Sequence, residues 1–273
     1  MTRHWLYYRV AASAPDPTAP VVAGLLPGLV ARLHGTDPQG QWFFLRFTDG
    51  LGPHVRIRFL STPAVNDAIE REITEASRAQ KLFTVLDYYE PETAKYPGPV
   101  GVAQAEKVFH ASSECVLILL DGAGTVTPRT LLPLVTRHLG QVAHMLPPEQ
   151  RVSFLFHYWC YWTAGLGTAQ RTALGERAVR SAAAVWATAN TLSLPERARD
   201  PWQHYLSALR TTVTDQRGNG SAPINHLVFH HAHLMHNRLG AWPVMEALAA
   251  RILHLQLVGR PPGSGRTDDD HGW

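Results

Sequence analysis

Residues 43–59 read FFLRFTDGLGPHVRIRF and decide how the first half of the chain folds. Two runs that alternate apolar with polar or basic residues flank the segment TDGLGP. Alternation with a period of two is typical of half-buried β-strands, and Gly, Pro and Asp favour a turn between them. The stretch therefore predicts a β-hairpin. On its second strand, His54, Arg56 and Arg58 would share one face, because successive side chains point to opposite sides of a sheet.

This cationic face has two interpretations. An amphipathic strand with a solvated polar face explains it without any function. Arginine rather than lysine at both cationic positions favours binding, since a planar guanidinium can hold a carboxylate or a polarised amide through paired hydrogen bonds. Arg46, on the first strand, is predicted to be structural.

The rest of the chain is interpreted outward from the hairpin. A third strand, HWLYYRV, precedes it, and helices are expected over residues 21–35 and from residue 63. Pro27 predicts a kink in the first of these helices and Gly35 its end. FTVLDYYEPE predicts a further strand, TAKYPGPVG a loop, and the residues from 101 a helix, after which the pattern is almost purely helical. The fold class is therefore α+β: an N-terminal mixed or antiparallel sheet with helices, packed against a mainly helical second half.

The composition is that of a folded globular protein. Of the 273 residues, 45% are hydrophobic and 17% are charged, and a net charge of +3 is too small to indicate nucleic acid. Basic residues interrupt the first ten positions, and no run approaches the ~20 apolar residues of a membrane span. Cys115 and Cys160 lie in apolar runs and are predicted to be reduced packing residues. We expect a soluble, cytoplasmic protein with one domain over 1–260 and a disordered tail over 261–273.

The stretch NHLVFHHAHLMHNRLG concentrates histidines on one predicted helix. Helical spacing places His226, His230 and His233 on one side, with His236 and Arg238 pointing elsewhere. No zinc site is predicted, because a His-Glu-x-x-His pattern and a cysteine pair are both lacking. Two interpretations remain: ordinary core and surface histidines, or proton transfer by an imidazole beside an arginine.

A second predicted helix carries the aromatic run SFLFHYWCYWT over residues 153–163. Such runs are most often buried core. The alternative is a ligand-binding wall, since Tyr and Trp combine apolar area with a polar group and suit a peptide that carries azole rings. The chain lacks the glycine-rich phosphate loops and the Gly-x-Ser-x-Gly elbow, so no nucleotide cofactor is predicted.

The order of the motifs resembles a known family. The segments WLYYRV, WFFLRFTDGLGPHVRIRF, YYEPETAKYPGP, AEKVFHASSECVLILL and HLMHNRLG follow one another. This order resembles the thiopeptide-type bacteriocin biosynthesis family, which is similar to the carboxy-terminal glutamate-elimination domain of class I lantibiotic dehydratases. The resemblance runs from Trp5 to about Gly240 and implies the elimination-domain fold. It implies one of two reactions: β-elimination of glutamate from a glutamylated Ser or Thr, or pyridine synthesis in thiopeptide maturation.

The resemblance also assigns functional residues. In the elimination domain these are the arginines of a His-x-Arg-x-Arg strand, an arginine of a Glu-Arg-Tyr-Gly-Gly loop, and a histidine five residues before an arginine on the late helix. Here the strand supplies Arg56 and Arg58, and the helix supplies His233 and Arg238. The loop departs from the pattern, because AKYPGP has Ala-Lys where Glu-Arg is expected and Pro97 in place of the first Gly. A lysine offers no bidentate carboxylate clamp, so the altered loop favours pyridine synthesis over elimination.

The resemblance and the residues together predict a pyridine synthase, a cofactor-independent lyase or cyclase. It would join two dehydroalanines of a precursor peptide with loss of water and of the leader. The predicted catalytic residues are Arg56, Arg58, His233, Arg238, Tyr158, Tyr96 and Glu106. The predicted substrate-binding residues are His54, Lys95, Trp159, Tyr161 and His236, with no metal ligands. The arginine strand and the His233 helix are predicted to face one cavity.

The expected partner is a precursor peptide with its leader. The leader is predicted to dock on a groove or a strand edge of the sheet, with basic residues attracting an acidic leader. A homodimer is expected on family grounds only, and neither nucleic acid nor a membrane is expected as a partner. Two alternatives stay open: a stand-alone glutamate-elimination subunit and a non-catalytic peptide-binding module.

Overall fold

The computed structural model describes residues 2–121, 126–215 and 222–259. The chain divides into two compact units. The first comprises Met1–Ala123 and Pro195–Ala222, and the second Gly124–Leu194 and Pro223–Trp273. The predicted tail over 261–273 lies outside the described residues, and a single domain over 1–260 stays a prediction.

The described part of the first unit contains a four-stranded antiparallel sheet. Its strands are β1 His4–Ala12, β2 Gln41–Asp49, β3 Gly52–Ser61 and β4 Leu82–Asp87, in the order β2-β3-β1-β4. β2 and β3 form the predicted hairpin. At its turn Gly52 has a φ of 83°, a left-handed conformation that favours glycine. The antiparallel sheet and the α+β class are thus confirmed.

Helices accompany the sheet in the first unit and form the described part of the second unit. In chain order they are α1 Leu26–Thr36, α2 Pro63–Gln80, α3 Gly98–Asp121, α4 Leu131–Ala143, α5 Pro148–Thr163, α6 Thr168–Thr191, α7 Glu196–Asp215, α8 Ile224–Leu239 and α9 Pro243–Val258. α3 begins inside the predicted loop, since a helix tolerates proline in its first turn. α7 comes from the predicted helical half but belongs to the first unit, where it packs against α3.

The first predicted helix is interrupted near its proline. Val21–Leu25 forms a π-helical turn and α1 begins at Leu26, so Pro27 lies in the first turn of α1. Proline lacks a backbone donor and crowds the preceding turn, which a locally widened helix accommodates. α1 ends one residue beyond Gly35.

The two faces of the sheet differ as the alternation predicts. The buried apolar residues of β3 are Val55, Ile57 and Phe59. On their side α2 packs against β1 and β3, and Arg46 donates to the hydroxyl of Thr18. Arg46 thus has a structural contact on the helix-covered face. His54, Arg56 and Arg58 lie on the opposite face.

In the second unit, α9 packs against α4, α5 and α6. α8 and α9 are separated at Gly240, whose φ of 83° ends α8, and Pro243 then begins α9. A pocket of about 640 Å³ opens between α4, α6 and α9, with Arg129 and Arg177 among its lining residues. Among the residues that the structure describes, no helix has the length and apolarity to cross a membrane.

Candidate functional site

Three arginines share the polar face of the sheet: Arg9 of β1 with Arg56 and Arg58 of β3. We call them the arginine face. Arg9 and Arg56 are paired in the strand register. Nε of Arg9 donates to Asp87 at 2.7 Å, and Nη2 of Arg56 donates to Asp49 at 3.3 Å. These two guanidinium groups therefore have anionic partners within the first unit.

Arg58 is surrounded by aromatic rings instead. Its guanidinium carbon lies 4.3 Å from the ring centroid of Tyr7, 5.2 Å from that of Phe43 and 5.1 Å from that of Tyr89. The residue is 8% exposed, and its buried Nε and Nη1 atoms have no hydrogen-bond partner among the described residues. Burial lowers the pKa of the guanidinium, which reflects the cost of desolvating a cation. Arg58 thus has buried N–H groups without an acceptor among the described residues, and a carboxylate or an amide carbonyl is the kind of group that would satisfy them.

A tyrosine and a carboxyl group adjoin Arg58. The hydroxyl of Tyr89 donates to Glu106 at 2.7 Å. Burial raises the pKa of Glu106 above its usual value, although the hydrogen bond from Tyr89 and the charge of Arg58 act in the opposite direction. Burial, and then Glu106, raise the pKa of Tyr89. A carboxyl group with a raised pKa beside a cation is a candidate acid or base.

The other predicted residues of the first unit have contacts within the protein. The ammonium of Lys95 binds Glu92 at 2.7 Å. Tyr96 is 2% exposed and packs its ring against Phe109, with centroids 5.5 Å apart. His54 is buried at the hairpin turn. His54 and Tyr96 therefore present little surface to a substrate in this structure, and their roles stay predictions.

The second unit contains a buried hydrogen-bond network centred on Glu246. We call it the Glu246 network. Oε1 lies 2.9 Å from Nδ1 of His233, whereas Oε2 lies 3.0 Å from Nδ1 of His236 and accepts the hydroxyl of Tyr158. Nε2 of His236 lies 2.9 Å from Nδ1 of His138. The side chain of His233 is 26% exposed, while the other four residues are fully buried.

Hydrogen bonds decide the charge of the network. Burial raises the pKa of Glu246, but hydrogen bonds from His233 and His236 outweigh burial and hold that pKa below its usual value. Burial and then His236 lower the pKa of His138 well below its usual value, so this imidazole is neutral. The network therefore holds a carboxylate with donors on both oxygens. No group of three or more His, Cys, Asp or Glu within the described ranges could hold a metal ion.

The aromatic run of α5 is divided between core and surface. Tyr158 and Trp159 are buried, whereas Tyr161 is 61% exposed. Trp162 lies against His233, with ring centroids 4.5 Å apart. Trp159 thus belongs to the core in this structure. Trp162, rather than Trp159, is the tryptophan of α5 that contacts His233.

The spacing argument for α8 is wrong in one respect. It predicts that His233 and His236 point to different sides, yet both Nδ1 atoms bind Glu246, because residues three apart lie on neighbouring parts of a helix surface. Arg238 is 1% exposed. Burial, and then the charge of Arg238, lower the pKa of the buried His231 to about 3. His236 and Arg238 are therefore interior residues of the second unit.

The predicted site residues fall into two sets. The first unit holds His54, Arg56, Arg58, Lys95, Tyr96 and Glu106. The second unit holds Tyr158, Trp159, Tyr161, His233, His236 and Arg238. That the arginine strand and the His233 helix face one cavity stays a prediction.

Sequence reasoning missed Glu246, His138 and Tyr89. Glu246 is the one acidic residue of α9, whose sequence PVMEALAARILHLQLV is otherwise largely apolar. A carboxylate on a buried helix requires hydrogen-bond donors, so it was an available signal. His138 lies in the apolar α4 and gives a similar but weaker signal. Tyr89 follows β4 without any distinguishing pattern.

These features define a class of protein. The chain combines an antiparallel sheet that bears paired arginines with a late helix that bears a partly exposed histidine. The model of the lantibiotic biosynthesis dehydratase C-terminal family matches residues 5–257. The chain belongs to this family, and the resemblance found in the sequence is confirmed.

Two solved structures share the fold. The crystal structure of the tRNA-dependent lantibiotic dehydratase MibB from Microbispora sp. 107891 is 19% identical with a TM-score of 0.64, over 92% of this chain and 28% of MibB. The crystal structure of TsrL is 15% identical with a TM-score of 0.67, over 95% of this chain and 96% of TsrL. The chain therefore spans 28% of the length of MibB but nearly all of TsrL. No curated protein matches the sequence.

Proposed function

We propose that this protein is a pyridine synthase that matures a ribosomally synthesised thiopeptide precursor without a cofactor. The reaction is a formal (4+2) cycloaddition. One dehydroalanine, joined to an amide in its imidic-acid tautomer, forms two carbon–carbon bonds with the alkene of a second dehydroalanine. Water then leaves, and the leader is expelled as an amide, which makes the ring aromatic and closes the macrocycle.

The contacts of Lys95 carry this proposal. Glutamate elimination in this family uses an arginine in the loop where Lys95 stands, according to the resemblance. The Lys95 ammonium is already bound to Glu92 at 2.7 Å, and a lysine is a point charge rather than a fork that matches a carboxylate. The loop is therefore poorly suited to hold a glutamyl carboxylate. This favours pyridine synthesis, whose substrate carries no glutamyl group.

The side chains suit a reaction that consists largely of positioning. Two alkenes must be held in a reactive conformer, and one amide oxygen must be stabilised in its imidic form. The N–H groups of Arg58 that lack acceptors among the described residues could bind that oxygen. The pair Tyr89–Glu106 and the pair His233–Glu246 provide acid and base groups for loss of water and of the leader.

Glutamate elimination is the second candidate, and Arg58 is compatible with it. Its buried N–H groups would equally suit the carboxylate of a glutamyl ester. A base would take the α-proton of the modified residue, and glutamate would leave with the ester oxygen as a free carboxylate. This leaves a dehydroamino acid in the peptide.

The position of β4 at one edge of the described sheet supports the proposed docking of the leader. β4 is the last strand of the sheet, and Phe83 and Leu86 on it are 54% and 57% exposed. An edge strand offers unpaired main-chain groups to an extended peptide. Leader docking would be contradicted if a precursor without its leader bound as tightly as the full precursor. The homodimer and the cytoplasmic location stay predictions.

One mass-spectrometric assay tests the proposal. The protein is incubated separately with a precursor that contains azoles and dehydroalanines and with a glutamylated precursor. A pyridine synthase would cleave the leader from the first peptide, with loss of water, and leave the second unchanged. Change of the glutamylated precursor alone would instead establish elimination.

Paired variants test for a non-catalytic module. Replacing Arg56 and His233 together with alanine should abolish either reaction but leave precursor binding. Replacing Arg180 and His4 together with alanine is the matched control, since both residues are exposed. If the wild type changes neither peptide but binds both, pyridine synthesis and glutamate elimination are excluded. The hypothesis of a peptide-binding module then remains.

A further inference from the structure

We propose that Glu246 is the positioning residue of His233: it fixes the proton of His233 on Nδ1 and leaves the lone pair of Nε2 as the base. The role of Nε2 as a catalytic base rests on the proposed function. The position of the proton on Nδ1 does not, because it can be measured without substrate.

The placement of Glu246 supports this role. It lies in the first turn of α9, where the positive end of the helix dipole favours an anion. Its Oε1 atom approaches Nδ1 of His233 at 2.9 Å, whereas His236 and Tyr158 both bind Oε2. One carboxylate oxygen is thus directed to the partly exposed histidine, and the other is held by interior donors.

Counting donors and acceptors fixes the tautomers. A carboxylate can only accept hydrogen bonds, so Nδ1 of both His233 and His236 must carry a proton. In a neutral His236, Nε2 is then an acceptor and receives the Nδ1 proton of the neutral His138 across 2.9 Å. With His236 neutral, the hydrogen bond from His138 to His236 and the one from His236 to Glu246 both point toward the carboxylate.

The consequence concerns the outer nitrogen of His233. With Nδ1 committed to Glu246, Nε2 carries the lone pair and can take a proton from a bound peptide. The imidazolium that results stays beside the carboxylate, which compensates its charge, and the proton can later return from the same atom. Trp162, whose ring centroid is 4.5 Å from that of His233, limits the orientations of the imidazole ring.

The Glu246→Gln variant separates positioning from packing. An amide has the shape of a carboxylate but offers one oxygen and one NH2 group. Because Tyr158 and His236 both donate on the Oε2 side, the amide oxygen should face them and the NH2 group should face His233. Nδ1 of His233 must then accept, which moves its proton to Nε2 and removes the outward lone pair.

Nitrogen-15 NMR of histidine-labelled full-length protein tests this inference directly. In the wild type at alkaline pH we expect His233 to be protonated on Nδ1, with its resonances assigned by their loss in His233→Asn. In Glu246→Gln we expect the proton on Nε2. Tyr158→Phe, which removes a donor from Glu246 but keeps the carboxylate, should leave the His233 proton on Nδ1. A wild-type His233 protonated on Nε2 would overturn the proposal, even if the Gln variant does not fold.

Kinetics provide the second readout. We expect Glu246→Gln to lower kcat by about 10²- to 10⁴-fold, the range for loss of a general base or of its correct tautomer. KM for the dehydroalanine precursor should change by less than about threefold, as for an interaction made only in the transition state. An unchanged kcat together with the tautomer change would exclude the positioning role. If the wild type modifies no precursor yet shows the expected tautomers, the proposed function fails and the placement of the proton stands.

Discussion

The arginine face and the Glu246 network each contain a buried charged group, Arg58 and Glu246, and the two groups differ in their hydrogen-bond partners. Arg58 is surrounded by aromatic rings, and its Nε and Nη1 atoms lack acceptors among the described residues. Glu246 is at least as deeply buried, yet both of its oxygens receive donors from the protein itself. A buried polar group costs free energy unless it is hydrogen-bonded. Within the arginine face, Arg58 therefore carries N–H groups without an acceptor among the described residues, whereas the Glu246 network satisfies its buried carboxylate with its own members.

The largest expected effect is on stability, from removing the centre of the network. Glu246→Ala leaves the donors of His236 and Tyr158 buried without their acceptor and opens a cavity. We expect the free energy of unfolding to fall by about 3–5 kcal/mol. Urea denaturation followed by circular dichroism measures this, with Glu176→Ala on the exposed surface of α6 as control. A loss below about 1 kcal/mol would mean that the network is not closed as described.

The second effect is a pH dependence located in the same unit. The pKa of His231 is lowered to about 3, so the folded protein keeps this ring neutral while the unfolded chain protonates it below about pH 6.5. Stability is therefore full above pH 6.5 and falls by about 1.4 kcal/mol per pH unit, for this group, as the pH drops toward 3. His231→Gln should remove that part of the slope between pH 6.5 and 5, measured by urea denaturation. The exposed His4→Gln should leave the slope as in the wild type.

The smallest effect on stability is expected on the arginine face. Arg58→Met replaces a desolvated cation with a shorter, unbranched apolar side chain, and the loss of its contacts with the rings offsets the gain. We expect the free energy of unfolding to change by less than about 1 kcal/mol, while conversion of the precursor is lost. A destabilisation above about 2 kcal/mol would make Arg58 a structural residue. The exposed Arg180→Met is the control for the loss of one positive charge.

Local patterns were sufficient for the hairpin and for one face of the sheet. The alternation in residues 43–59 predicts the hairpin and puts Arg56 and Arg58 together, because the period of a strand depends on nothing beyond the strand. The aromatic neighbours of Arg58 come from β1, β2 and the segment after β4. They depend on strand order and register, which the sequence of β3 does not contain.

The Glu246 network could not be predicted from local patterns in the sequence. Its members come from α4, α5, α8 and α9, and His138 is 98 residues from His236. Helical periodicity indicates which side of each helix is apolar, but it does not indicate which helices meet. The lone carboxylate of α9 could have been noticed, whereas its partners required the tertiary structure.

The glycine turn between α8 and α9 has a consequence for the order of folding. Glu246 is only 13 residues from His233 and 10 from His236, and loops of this length close in about 10–100 ns. The contact between Glu246 and His233 joins residues of one helical hairpin, whereas the burial of Glu246 also requires Tyr158 and His138, which are distant in the chain. We therefore expect the Glu246 carboxylate to meet His233 and His236 while water still solvates all three side chains, before the rest of the core encloses them.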